Sequence, residues 1–220
     1  MVAFHSLYEQ PKEISQMKKI VLLILVLLAS PSLVSAQTLS NSDVAVWLSD
    51  SEFNEPTITD DDGSVTLKMD EGTGFGLSFN HFWVSSFSTE LAYHRFGGDV
   101  EAAFDDGTSF DAGELRASSL TGVGQWHFRR ATRFSPYIGG GVAYMNGEFD
   151  PFDVEDATLD FEPELTWVVN FGANVAITER LAIGIDAKYI EWEAQEENDE
   201  EEERLELTPL VLSAGLRFRF

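Results

Sequence analysis

The chain contains no cysteine. An exported protein without cysteine cannot draw stability from disulfides. A sheet closed on itself by hydrogen bonds does not need them. Bases are also scarce: 14 Lys and Arg stand against 38 Asp and Glu, for a net charge of −24. That balance excludes nucleic acid as a partner, because its binding depends on Lys and Arg meeting phosphates. The apolar run Ile20–Ala29 is only about ten residues long, too short to span a bilayer as a helix. Yet hydrophobic residues make up 44% of the chain, too many for a disordered acidic protein.

That short run sits in a secretory pattern. Basic Met17-Lys18-Lys19 precedes it, and small residues at Val34-Ser35-Ala36 follow. Cleavage is expected after Ala36. Residues 1–36 are then an N-terminal extension plus a cleavable signal peptide, and 37–220 form one domain. Met17 is itself a good start, so Met1–Gln16 is set aside as an overextended one.

The remaining apolar residues recur at every second position. In Leu165–Ile177, Trp167, Val169, Phe171, Ala173, Val175 and Ile177 share a face opposite Val168, Asn170, Gly172 and Asn174. Period two marks a strand. The same pattern predicts strands over Val44–Ser51, Phe75–Phe82, Phe87–Phe96, Leu115–Phe128, Tyr137–Asn146, Leu181–Tyr189 and Pro209–Phe220, eight in all. The face of the first strand stays open, as does that of the glycine-rich fifth. Gly139-Gly140-Gly141 marks a bend or a close backbone approach. No helix follows these glycines, which argues against a phosphate loop.

Connections alternate short and long. Short turns fall at Ser85-Ser86, Arg129–Ser135 and Thr178–Arg180. Asp50–Gly72, Gly97–Gly113, Gly147–Glu164 and Glu191–Glu206 read as long loops with net charges of −7, −5, −8 and −9. Short turns and long loops at opposite ends are the pattern of an outer-membrane barrel. Trp83, Trp126, Trp167, Tyr144, Tyr189 and Trp192 fall near strand ends, as interfacial girdles do. The inner face reads as Gly, Ser, Asn, Asp and Lys, suited to a narrow polar lumen. The prediction is an all-β fold, an eight-stranded antiparallel transmembrane barrel of outer-membrane type.

Leu210, Leu212, Ala214, Leu216, Phe218 and Phe220 alternate to the last residue. Of these, Leu212, Leu216, Phe218 and Phe220 resemble the signal that hands such barrels to the barrel assembly machinery. Several segments resemble the OmpW family of small outer-membrane barrels. They are Ser135-Pro136-Tyr137-Ile138 with the glycines after it, Ala176-Ile177-Thr178-Glu179-Arg180-Leu181, Leu207-Thr208-Pro209-Leu210, and Ser213 to Phe220. The resemblance implies a bacterial outer-membrane protein with both termini periplasmic. It further implies a passive narrow channel or binding barrel for small molecules, with an apolar lumen.

Parity puts charges where that picture wants apolar groups: Glu90, His94, Asp186, Lys188, Arg217 and Arg219 face inward. An unpaired ion out of water is costly, so these groups are expected to form one network. Three bases against two acids leave one positive charge over. The alternative to a channel is therefore a plugged interaction barrel whose acidic loops bind cations or surface partners. His94 and Glu90 could form a base and its orienter, but no nucleophile motif stands near, so no enzyme and no cofactor are expected. Asp60-Asp61-Asp62-Gly63 looks like part of a calcium loop, but Ile58 and Met69 occupy ligand positions, so no defined metal site is expected. Glu196–Glu203 is a solvated charge run. Expected partners are outer-membrane lipid, lipopolysaccharide and loosely held divalent cations at the loops.

The alternating C-terminus makes a direct prediction. Deleting Phe220 should sharply lower the amount of protein reaching the outer membrane, measured by fractionation and blotting. Normal levels of the truncated chain would show that the terminal run is not an insertion signal.

Overall fold

The computed structural model describes residues 41–60, 63–70, 72–128, 132–152, 158–195 and 204–220. The signal segment, Asp61-Asp62, Arg129-Arg130 and Glu196–Glu203 lie outside the described residues. The strands are β1 (Ser42–Glu52), β2 (Thr57–Asp60), β3 (Gly63–Met69), β4 (Gly72–Val84), β5 (Phe87–Phe104), β6 (Ser109–His127) and β7 (Phe134–Pro151). They continue with β8 (Leu159–Asp160), β9 (Glu164–Ala176), β10 (Leu181–Ile190), β11 (Glu193–Gln195), β12 (Arg204–Glu206) and β13 (Leu210–Arg219).

Eight of these form a closed antiparallel ring in the order β1, β4, β5, β6, β7, β9, β10, β13. The ring shuts where β13 meets β1, in register from Asp43↔Arg219 to Glu52↔Leu210. Every strand then has two neighbours, so no backbone edge of the ring is left unpaired.

Alternation decides what points where. On β1, Val46 and Leu48 are 59% and 70% exposed, while Trp47 between them is 0% exposed. The first strand therefore turns its even positions outward and aims Trp47 into the lumen. Space for that ring comes from two small neighbours: a Cβ at Gly184 or Gly215 would sit 2.7 Å from the Trp47 ring. On β7 the glycines mark a close approach, since a Cβ at Gly141 would lie 1.9 Å from the Gly122 carbonyl oxygen of β6. Leu212, Leu216, Phe218 and Phe220 all face outward.

The long loops are shorter than expected, because much of their length is strand. Instead of looping from Gly97 to Gly113, the chain carries β5 on to Phe104 and starts β6 at Ser109. The tight connection places Gly107 at φ 84°. Asp106 caps it by accepting from the Thr108 hydroxyl and backbone N–H, at 2.5 and 2.9 Å, which hold its carboxyl below the ordinary range. The β2–β3 hairpin lies along this extension, with Val65 opposite Phe104 and Met69 opposite Val100. β8 pairs with β7, and β11 with β12. Period-two apolar residues such as Val100, Ala102 and Phe104 support this extension; Gly97-Gly98 before them and Asp105-Asp106-Gly107 after them give the segment the look of a loop in the sequence.

Two further expectations are corrected. Trp192 is not in an interfacial girdle: it is fully buried, edge-on to Phe161 with ring centroids 5.9 Å apart. It belongs to an apolar cluster with Phe53, Phe96, Leu115, Met145 and Ile190. This cluster lies inside the barrel toward the loops, so the lumen is not polar along its whole length. Trp83 and Trp126 at the turn end, and Tyr144, Trp167 and Tyr189 toward the loops, are exposed.

Closure can be tested at the seam. Ser49 and Ser213 are register partners with hydroxyls 2.9 Å apart. In this cysteine-free chain, Ser49→Cys with Ser213→Cys should form an intramolecular disulfide on oxidation, seen as a mobility shift of the denatured protein. Single variants should not shift. A double variant that stays reduced would contradict the seam.

Candidate functional site

Inward positions on four strands hold the charges. Asp43 stands on β1, Glu90 on β5, Asp186 and Lys188 on β10, and Arg217 on β13. In a ring of eight, β5 and β10 are four strands apart and face each other across the lumen. An eight-stranded barrel is just wide enough for side chains to fill it, so long side chains from opposite walls meet.

They meet as one chain of ion pairs. Arg217 Nη1 donates to Asp43 Oδ1 at 2.5 Å and Nη2 to Glu90 Oε2 at 3.2 Å. Lys188 Nζ donates to Glu90 Oε1 at 3.1 Å, and also to Asp186 Oδ1. Asp186 Oδ2 accepts from the Tyr137 hydroxyl at 2.7 Å and from Asn170 Nδ2 at 3.0 Å. Trp47 lies 5.4 Å from the Arg217 guanidinium carbon and donates its indole N–H to Ser78 at 2.9 Å. Seven of the eight ring strands thus contribute to one connected cluster.

Burial makes the pairing obligatory. The five charged residues are 1–4% exposed. A charge out of water is tolerated when it is paired and its remaining hydrogen-bonding capacity is used. Glu90 meets this demand by accepting from Lys188 with one oxygen and from Arg217 with the other.

The cluster departs from the expected one in three respects. His94 faces the lumen and is buried, but neither ring nitrogen has a hydrogen-bond partner, so it stands beside the network rather than within it. Arg219 is only half-buried, at the turn end and in register with Asp43. Asp43 was missed because the first strand was read from Val44 and its face left open. Once Val44, Val46 and Leu48 are known to face out, parity places Asp43 inside. With it, the five paired residues hold three acids against two bases, and Arg219 at the turn end brings the inward set to three against three.

Removing one partner tests the burial. Lys188→Ala leaves Asp186 without its cation and Glu90 with Arg217 alone. Stability should fall by about 3–5 kcal/mol, read as an earlier urea midpoint of the folded barrel by tryptophan fluorescence. A loss below about 1 kcal/mol, typical of exposed pairs, would mean that water already reaches the pair.

Residues 20–220 match the family described as outer membrane protein beta-barrel domain. No curated protein matches. Among solved structures, the chain is similar to the outer membrane protein OprG of Pseudomonas aeruginosa, with 12% identity and a TM-score of 0.67 over 85% of this chain and 99% of that one. Neisserial surface protein A gives 14% identity and a TM-score of 0.59, over 81% and 97%. The outer membrane protein AlkL, solved in lipid bilayers, gives 17% and 0.54, over 87% and 95%. A family match over nearly the whole chain, with a closed ring of eight antiparallel strands, shows that this protein belongs to the outer membrane protein beta-barrel domain family and resides in the bacterial outer membrane.

Proposed function

We propose that this barrel is closed along its axis and acts as an interaction barrel at its loop end. The observation that carries the reading is the burial of Glu90, Lys188 and Arg217 at 1–2% exposure in mid-lumen. A water-sized sphere hardly touches them, so an ion crossing here would have to break a paired charge. Beyond this layer the apolar cluster around Trp192 fills the rest of the lumen. The OmpW-like segments support a place near that family, with both termini periplasmic and the loop end outside. There the acidic loops form a rim that attracts cations and basic surface partners.

A second reading, a gated polar path, draws on one feature. Asn80 and His94 border the ion chain with side-chain atoms that lack direct partners. If the ion chain opens, these groups would line a hydrated route for small solutes.

Planar-bilayer recording separates the two. The closed barrel should give no steady current after insertion, with insertion verified by protease protection. Stable unitary conductance of the wild-type protein would establish the channel and overturn the closed-axis reading.

A further inference from the structure

Toward the loop end of the outer wall, three adjacent strands carry a row of hydrogen-bond donors that the protein itself leaves unused. Arg95 on β5, Ser118 on β6 and Asn146 on β7 are successive register partners, so they occupy one rung. All three lie on the outward face. None makes a side-chain hydrogen bond or ion pair with another described residue. They border a common groove of about 250 Å³.

The rungs on either side define what the groove fits. One step toward the turns, Tyr93, Leu120, Tyr144 and Leu165 are aligned in the same way, all outward and 41–69% exposed. This is a wall for acyl chains. One step toward the loops, Arg116 is already neutralised, with Glu114, Asp150 and Glu148 at 2.7, 2.5 and 3.6 Å. Glu148 and Asp160 border the groove on that side and would repel an anion moving further up. Among the described residues Arg95 is thus an exposed cation without a carboxylate partner, in a chain of net charge −24.

A row of three donors, one cationic, spans two strand spacings, about 10 Å. It lies directly above an apolar wall. Its chemical complement is an anionic oxygen-rich headgroup carried on acyl chains, and a guanidinium matches phosphate with two parallel hydrogen bonds. We propose that Arg95, Ser118 and Asn146 bind the phosphate of a phosphorylated glycolipid in the outer leaflet, with its acyl chains against Tyr93, Leu120, Tyr144 and Leu165. The inference rests on the reading that the loop end faces outward. It does not depend on whether the lumen conducts.

Native mass spectrometry of the purified folded barrel tests it with three probes: bisphosphorylated lipid A, the same glycolipid dephosphorylated, and inorganic phosphate. The bisphosphorylated lipid should remain bound and the other two should not. Arg95→Gln should lower retention about tenfold, the scale of one charge-assisted hydrogen bond. Arg95→Lys should keep part of it, and Arg180→Gln at the turn end should change nothing. Equal retention of both glycolipids, or by Arg95→Gln and wild type, would overturn the proposal. Inorganic phosphate binding as well as the lipid would also overturn it, as that indicates a free-anion site. If Arg95→Gln fails to fold, the wild-type comparison of the two glycolipids decides alone. Accessibility of the loop end to protease on intact cells reads the orientation separately, and conductance reads the closed axis.

Discussion

Everything in this structure follows from the need to satisfy backbone hydrogen bonds in a medium that offers none. Lipid gives an unpaired N–H or carbonyl no partner, so the sheet must close, and β13 must return to β1. Closure at eight strands sets a narrow interior, and antiparallel pairing puts the short turns, the start of β1 and the end of β13 at one end. Alternation along each strand then separates a lipid face from a lumen face. The placement of Trp47, Glu90 and Arg217 inside is a consequence of that geometry.

The interior solves two problems in two layers. Toward the turns, charges from opposite walls are short of water and must find one another, and Glu90 serves as the common acceptor between Arg217 and Lys188. Toward the loops, Phe96, Leu115, Met145 and Trp192 pack without any charge among them. An ionic layer tolerates little change, because each partner depends on the next. An apolar layer excludes water by contact alone.

The outer wall is ordered in rungs as well. Apolar and aromatic residues meet the hydrocarbon, a row of free donors follows at Arg95, and ion-paired Arg116 with its acids leads into the acidic loop end. This is the sequence of environments from acyl chain to headgroup to aqueous rim. The extensions of β5, β6 and β7 carry the acids away from the bilayer on a paired scaffold. The acids are therefore presented on a sheet over much of this region rather than on long irregular loops.

Eight barrel strands, the faces of six of them and the inward charges at Glu90, Asp186, Lys188 and Arg217 were legible in the amino-acid sequence. Period two is a local property of covalent geometry and needs no knowledge of the partner strand. The strand extensions were not legible, because Gly97-Gly98 and the density of acids read as turn and loop signals although the apolar residues keep period two. Trp192 was misplaced for a related reason: nearness to a strand end says nothing of which face a ring takes. By itself the sequence determined the fold class, the number of barrel strands and the lipid face of most of them. Only the tertiary structure decided that Asp43 completes the charge balance, that Glu90 is shared across the lumen, and that His94 is left out. Those outcomes depend on which walls face one another, a distance set by ring closure between residues 98 to 174 positions apart.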